Sequence, residues 1–169
     1  MRVLGIDPGT VATGYGLVEE EGESLIHICS GAIKTSSKDE FSQRLKKIYE
    51  GISSVIKKYL PDVVAIEELF FARDVKAALK LGHARGVAVL ASANSGLPVV
   101  QYSATAIKKA VVGYGKGEKY QTQRMVQTLL GLSSLPEPND AADALAVAIC
   151  HIHNASFMIR LEKTNDRFA

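Results

Sequence analysis

Several features are scarce in this chain of 169 residues, and each absence excludes a class of protein. The two cysteines, Cys29 and Cys150, are too few for a disulfide framework, so we expect both to be small buried residues. No apolar run approaches the roughly 20 residues that a transmembrane helix requires. The N-terminus shows no secretory signal pattern, and a cytoplasmic location is therefore the default expectation.

The chain also lacks a strong net charge, internal repeats and linker-like segments. Its formal net charge of +2 at pH 7 does not by itself indicate a nucleic-acid partner. Basic residues nevertheless crowd one region, which contains Lys108, Lys109, Lys116, Lys119 and Arg124. Such clustering can follow a phosphate backbone, although a solvated helix face is the commoner explanation on charge patterning alone.

Hydrophobic patterning predicts one α/β domain. Three short strands in succession, 2–7, 14–19 and 25–34, predict an antiparallel meander. Two later strands alternate with helices, which favours a mixed five-stranded sheet flanked by helices. The later strands are 62–67 and 98–101. The first helix is predicted to begin near Ser37, because the spacing between Ser37 and Glu40 is that of a capping box. Further helices are predicted over 74–94, 105–112, 118–131 and 140–153. We assign the domain to 1–155, followed by a C-terminal tail, 156–169, for which the sequence predicts no structure.

Two of the apolar strands end in acid. Asp7 closes the first strand before a Pro-Gly turn, and Glu67 closes the buried strand 62–67. An acid before Pro-Gly is often a turn residue, but an acid at the carboxyl end of a parallel strand lies where open α/β sheets bind ligands. Strand alternation directs Glu68 to the opposite face, so continuity favours Glu67 as the partner of Asp7.

A second pair of acids opens the last helix. Asp140 and Asp143 follow Asn139, the expected N-cap, and their i, i+3 spacing places them on one helix face. Acids in a first turn also complement the helix dipole, so neither residue is specific alone. If this face meets the two strand ends, four carboxylates converge and require divalent cations between them. Hard oxygen ligands suit Mg²⁺, and two such ions about 4 Å apart can hydrolyse a phosphodiester.

Two further segments are weaker candidates. The loop Gly113-Tyr-Gly-Lys-Gly117 matches no nucleotide-binding motif, but with Lys116 and Lys119 it could contact phosphate, and a plain surface turn is equally compatible. Phe70 and Phe71 follow the strand-end acids directly. Adjacent aromatics are usually core residues, but at the mouth of a site one could stack on a base or wedge between bases.

Five fragments in order resemble the RuvC Holliday-junction resolvases of bacteria, over nearly the whole chain to about His153. They are Leu4-Gly-Ile-Asp-Pro-Gly9, Ala65-Ile-Glu-Glu-Leu-Phe70, Lys80-Leu-Gly-His-Ala-Arg-Gly86, Val111-Val-Gly113 and Asp140-Ala-Ala-Asp-Ala-Leu-Ala146. The resemblance implies a ribonuclease-H-like fold and a homodimer that resolves four-way DNA junctions by paired symmetric nicks in recombination and repair. It also implies Mg²⁺, two ions per subunit, with Mn²⁺ as a substitute, and work beside the RuvA–RuvB branch-migration complex.

The resemblance assigns roles to individual residues. Asp7, Glu67, Asp140 and Asp143 match the family's four catalytic, metal-binding carboxylates; some members carry His where Asp140 stands here. Phe70 matches an aromatic that inserts near the branch point, and Lys108 and Lys119 match DNA-contacting lysines. Arg73 and Lys116 complete the set expected to contact DNA. A one-residue shift remains open, with Glu68 or Phe71 sharing the roles given to Glu67 and Phe70.

Three other functions are compatible with parts of the sequence. Gly5-Ile-Asp-Pro-Gly-Thr10 also resembles the first phosphate loop of actin-like and sugar-kinase-like ATPases, which need two such domains. A related nuclease that trims RNA would share the carboxylates. A non-catalytic junction-binding protein would bind without cutting, even in EDTA.

Overall fold

The computed structural model describes residues 1–68, 74–115 and 118–165, with side chains described up to Met158. Ten elements follow one another along the chain. The strands are β1 (Arg2–Asp7), β2 (Ala12–Glu21), β3 (Ser24–Lys34), β4 (Val63–Glu67) and β5 (Val99–Tyr102), and the helices are α1 (Phe41–Tyr59), α2 (Val75–Asn94), α3 (Ala104–Val112), α4 (Lys119–Leu129) and α5 (Asn139–Asn165).

The five strands form one mixed sheet in the order β3-β2-β1-β4-β5. The pairs β1·β2 and β2·β3 are antiparallel, whereas β1·β4 and β4·β5 are parallel. This confirms the predicted sheet, with an antiparallel first half and a parallel second half. Because β1 and β4 run side by side in the same direction, their carboxyl ends, Asp7 and Glu67, lie at the same edge.

Helices cover both faces of the sheet. Strand alternation sends Leu4, Ile6 and Ile66 into a core with α1 and α2, and sends Val3, Val63 and Ala65 into a second core with α3, α4 and α5. The first half of α5 is buried almost completely, from Ala141 to Ile152, apart from Asp143 and the half-buried His151. A helix that is apolar nearly all round is a central element, and α5 lies directly across β1 and β2.

Two helix ends differ from the prediction. The prediction of a Ser37–Glu40 capping box is wrong. Helix α1 begins at Phe41, and its N-cap, Glu40, makes no side-chain capping hydrogen bond. The Ser36 hydroxyl instead accepts the Lys38 N–H at 3.1 Å, which holds the preceding residues in a turn. Asn139 is the first residue of α5 rather than its N-cap.

Helix α5 continues to Asn165, well past the predicted end at 153. The apolar stripe fades after Ile152, but polar contacts replace it. Asn154 donates to the Cys150 carbonyl at 2.7 Å, and the Ser156 hydroxyl donates to the Glu20 carboxylate of β2 at 2.5 Å. The division between a domain at 1–155 and a tail stays a prediction.

None of the helices in the described ranges combines the length and the apolar composition that crossing a bilayer requires.

Candidate active site

Asp7 faces α5 because of its place in β1. Val3 and Gly5 point to the same side of the sheet, and Gly5 leaves room for the helix: an ideal Cβ there would overlap the backbone of Ala144 and Ala148. A glycine at this position lets the helix backbone touch the strand. The Asp7 carboxylate, one alternation further, therefore points toward the N-terminal part of α5.

Glu67 lies beside Asp7 on the same face. Ile6 pairs with Ile66 in the parallel ladder, so Asp7 and Glu67, the next residues, are neighbours across the two strands. Val63 and Ala65, which alternate with Glu67 on the same face of β4, pack against α5. The end of β4 is held by Arg85, whose Nε donates to the Glu67 carbonyl at 3.3 Å. Glu68 follows the strand, is exposed, and uses its N–H to donate to the Tyr102 carbonyl at 2.9 Å.

The first turn of α5 brings the other two acids to this edge. Gly14 is the β2 partner of Asp7, and an ideal Cβ on Gly14 would overlap the backbone of Asp140. The helix start is thus in backbone contact with the residue opposite Asp7. Asp143 lies one turn along, on the side facing Glu67, and is only partly exposed. The four acids predicted from the sequence are brought together.

Burial and mutual proximity raise the pKa values of three of these acids, Asp7, Glu67 and Asp143. Burial, followed by the charges of Glu67, Asp143 and Asp140, raises the pKa of Asp7 from 3.8 to about 7. Burial and then the Asp143 charge raise the pKa of Glu67, and burial raises that of Asp143 against the opposing effect of Lys119. Carboxylates crowded in this way hold their charge poorly unless cations join them.

Two lysines supply positive charge at this edge. The Lys119 ammonium, from the first turn of α4, lies 2.6 Å from an Asp143 carboxylate oxygen, and this hydrogen bond raises the pKa of Lys119. A cavity of about 240 Å³ opens beside the pair, and its lining includes Glu67, Lys108, Lys119 and Asp143. Asp7 is not part of that lining and lies deeper in the site. The cavity therefore joins the acids to two cationic side chains.

Four carboxylates are chemically suitable ligands for a divalent cation, but their side chains are not arranged around a common ion position. Within residues 1–68, 74–115 and 118–158, no three acidic, His or Cys side chains approach closely enough to enclose an ion. The charges of Glu67, Asp143 and Asp140 are near enough to raise the pKa of Asp7, and the Lys119 ammonium lies against one oxygen of Asp143. A cation bound by Asp143 would therefore compete with the Lys119 ammonium.

The turn after Asp7 is held by residues that the sequence reading missed. The fully buried Thr13 hydroxyl donates to the Gly9 carbonyl at 2.7 Å, and the Arg44 guanidinium of α1 donates to the Thr10 carbonyl. The glycines in β1 and β2 are a second missed feature. Glycine inside a strand is a recognisable sign of close backbone approach, so Gly5 and Gly14 could have predicted where α5 crosses the sheet.

Four residues considered as DNA contacts or role-sharers lie outside the described residues: Phe70, Phe71, Arg73 and Lys116. Of the remaining predicted DNA contacts, Lys108 and Lys119 both lie at the acidic cavity.

Comparison with known proteins identifies the family. The family model described as crossover junction endodeoxyribonuclease RuvC matches residues 3–151. The chain belongs to the RuvC family. A relative from Geobacter sulfurreducens, named crossover junction endodeoxyribonuclease RuvC, is 54% identical over 92% of this chain and 94% of its own length.

Solved RuvC structures agree with the fold. A Thermus thermophilus RuvC structure superposes with a TM-score of 0.86 at 35% identity, covering 93% of this chain and 96% of the other. A structure of T. thermophilus RuvC in complex with Holliday junction substrate gives a TM-score of 0.85 at 34% identity and the same coverage. The ribonuclease-H-like sheet inferred from the sequence is therefore the fold of this RuvC family member.

Proposed function

We propose that this chain resolves four-way DNA junctions by cutting two opposing strands with symmetric nicks, as a step in recombination and repair. The observation that carries the proposal is the convergence of Asp7, Glu67, Asp140 and Asp143 at one sheet edge, beside two lysines. This convergence occurs in a fold shared with a RuvC whose structure contains Holliday junction substrate. Cleavage would leave 5′-phosphate and 3′-hydroxyl ends.

The four carboxylates are proposed to hold two Mg²⁺ ions per subunit, with Mn²⁺ as a substitute. Oxygen-only donors suit both ions, and the raised pKa of Asp7 supports the proposal because crowded carboxylates favour a cation between them. Bound there, the cations would supply an activated water near neutral pH and stabilise the leaving oxygen of the phosphodiester. Asp7, whose pKa is raised to about 7 by burial and by the charges of Glu67, Asp143 and Asp140, is proposed as one of these ligands.

The lysines have a separate task. Lys119 neutralises Asp143 when no other cation is near, and a DNA phosphate in the adjacent cavity would give its ammonium a second acceptor. Lys108 also lines this cavity and is proposed to contact the same phosphate. Charge-assisted contacts of this kind position a DNA backbone without reading its sequence. Phe70, Arg73 and Lys116 are proposed as further DNA contacts, and the sharing of the Glu67 and Phe70 roles by Glu68 or Phe71 stays open.

A homodimer is proposed because a two-fold protein matches a two-fold junction. The outer face of α2 offers a surface for it. Val75, Leu79 and Leu90 are 69%, 61% and 53% exposed, and a Cβ built on Gly86 between them would meet nothing within 4 Å. Apolar side chains that flank an open glycine position allow a second helix to approach closely. Work beside the RuvA–RuvB complex and a cytoplasmic location are proposals that rest on family membership.

The decisive test compares cleavage of a synthetic four-way junction with that of a linear duplex and a structured RNA. Wild-type chain is expected to cut the junction in Mg²⁺ and to bind without cutting in EDTA. Asp7→Asn should lower the rate by about 1,000-fold or more, because losing an ion site removes several kcal/mol of transition-state stabilisation. Junction affinity should persist, since it rests on basic residues.

Asp39→Asn is the matched control, since Asp39 is exposed in the turn before α1. It should cut at the wild-type rate. Preferential cleavage of RNA would support the RNA-trimming alternative, and binding that never leads to cutting would support the non-catalytic one. Cleavage by Asp7→Asn at the normal rate would refute the role given to the carboxylates.

A further inference from the structure

A buried hydroxyl group closes the turn between β1 and β2, and none of the proposed roles uses it. It belongs to Thr13, the second residue of β2, whose side chain is completely buried. The hydroxyl donates to the Gly9 carbonyl at 2.7 Å, and its oxygen accepts the Gly9 N–H at 3.4 Å. One side chain therefore bonds both backbone groups of a single turn residue.

The turn has little room to rearrange if these bonds are lost. An ideal Cβ on Gly9 would overlap the Ala12 carbonyl, so the two sides of the turn are already in contact. Valine has nearly the shape of threonine but no hydroxyl, and at position 13 it would leave the Gly9 carbonyl without this donor. A polar group that loses its partner away from water is costly, so the chain is expected to shift until the carbonyl finds a new one.

The position of Thr13 connects it to two of the four acids. Gly9 follows Asp7 by two residues, so the bonded turn fixes the direction in which the chain continues from the end of β1. On its other side, Thr13 precedes Gly14, which pairs with Asp7 and packs against the Asp140 backbone. The hydroxyl thus lies between the strand end that carries Asp7 and the strand residue on which the start of α5 rests.

We infer that Thr13 is a positioning residue, whose hydroxyl keeps Asp7 and Asp140 in the relative position on which cation binding depends. This rests on the proposed cation-dependent cleavage. Groups that orient metal ligands from behind typically change metal affinity or activity by about 10–100-fold when they are removed. A hydroxyl that only stabilised the fold would leave the cation affinity and the cleavage rate of the folded protein unchanged.

The test compares wild type with Thr13→Val, which removes the hydroxyl, and Thr13→Ser, which keeps it. Mn²⁺ affinity is measured without DNA, from the electron paramagnetic resonance signal of the free ion, and the cleavage rate is measured in single turnovers of a synthetic four-way junction. Thr13→Val should lower the Mn²⁺ affinity by at least about 5-fold and the cleavage rate by at least about 10-fold. Junction affinity in EDTA should not change, and Thr13→Ser should resemble wild type in all three measurements.

Thr13→Cys is measured alongside, so that the test stands if the valine variant fails to fold. A thiol is a weak hydrogen-bond donor, so this variant should bind Mn²⁺ at least about 2-fold more weakly than wild type. Circular dichroism shows which variants are folded at the temperature of the assays.

Ser92→Ala is the matched control for loss of a buried hydroxyl. The Ser92 side chain is also completely buried, and its hydroxyl donates to the Ala88 carbonyl within α2 at 2.8 Å. The Ser92 carbonyl accepts the Leu97 N–H at 3.3 Å, just before β5 begins at the end of the sheet opposite to Glu67. Ser92→Ala should therefore leave the Mn²⁺ affinity and the cleavage rate unchanged.

Wild-type Mn²⁺ affinity and cleavage rate in the folded valine variant, or in the folded cysteine variant if valine does not fold, would overturn the positioning role and leave the proposed function intact. An equal loss in Thr13→Ser would also overturn it, because that variant keeps the hydroxyl. A wild-type chain that binds Mn²⁺ but does not cut the junction would overturn the proposed function, and the Mn²⁺ affinities would still decide the role of Thr13. A wild-type chain that binds no Mn²⁺ would overturn both.

Discussion

Neutralising Asp7 should stabilise the metal-free protein, although the same change should abolish its activity. In the folded chain, burial and three neighbouring acids raise the pKa of Asp7 from 3.8 to about 7. A tenfold change in proton affinity corresponds to about 1.4 kcal/mol, so this rise corresponds to about 4 kcal/mol at pH 8. Because neighbouring side chains can rotate apart, we expect Asp7→Asn to raise the free energy of unfolding by about 2–4 kcal/mol.

The dependence on pH identifies the cause. A carboxyl whose pKa is raised on folding favours the folded state below its unfolded pKa, and this contribution is lost as pH rises through the folded pKa. The wild-type chain should therefore gain stability as pH falls from about 8 to about 4. Asparagine does not titrate, so the advantage of Asp7→Asn should be largest at pH 8, fall below about 2 kcal/mol at pH 5, and vanish near pH 3.5.

Urea unfolding in EDTA, followed by circular dichroism at pH 8, 6.5 and 5, measures these differences. Asp39→Asn changes an exposed aspartate in the same way and should leave the unfolding free energy within about 0.5 kcal/mol of wild type. An Asp7→Asn protein no more stable than wild type at pH 8 would refute the electrostatic reasoning. So would a gain that is equally large at pH 5.

Three further predictions concern the cation, the sheet–helix contact and the dimer. Mg²⁺ should raise the melting temperature of wild type more at pH 8 than at pH 6, because at pH 6 the ion must displace the proton that Asp7 keeps up to about pH 7. An equal rise in the melting temperature of Asp7→Asn would argue against Mg²⁺ binding at this site. Gly14→Ala should lower the unfolding free energy measured in urea by about 1–3 kcal/mol, because its Cβ would overlap the Asp140 backbone, and a variant as stable as wild type would contradict the close contact. Leu79→Asp should shift the proposed dimer to monomer in sedimentation velocity, and a variant that sediments as a wild-type-like dimer would exclude the α2 face.

Much of the fold could be predicted because it depends on local patterning. Strands β1 and β4 are continuous apolar runs, and the buried character of the second run indicated a parallel strand. Strand alternation indicated that only one of Glu67 and Glu68 could share a face with Asp7, and continuity with the strand favoured Glu67. The end of α5 could not be predicted, because the contact between Ser156 and Glu20 joins residues 136 positions apart in the sequence. The predicted capping box does not form, because the Ser36 hydroxyl holds the preceding residues in a turn and the helix begins only at Phe41. A spacing between two residues is therefore a weak predictor of a helix start.

The candidate site divides in the same way. Its acids are recognisable from their positions at strand ends and at a helix start. The Lys119–Asp143 ion pair, by contrast, depends on how α4 packs beside α5, which no spacing in the sequence specifies. The support of the Asp7 turn by Arg44 is likewise a contact between distant segments, and its signal in the sequence is a single ordinary basic residue.

Anomalous diffraction from crystals soaked in Mn²⁺ tests the cation-binding role of the four carboxylates most directly. We expect strong peaks bounded by Asp7 and Glu67 on the strands and by Asp140 and Asp143 on α5, with the Lys119 ammonium moved away from Asp143. Soaked crystals with no peak at this edge of the sheet, and with the 2.6 Å Lys119–Asp143 ion pair intact, would contradict it.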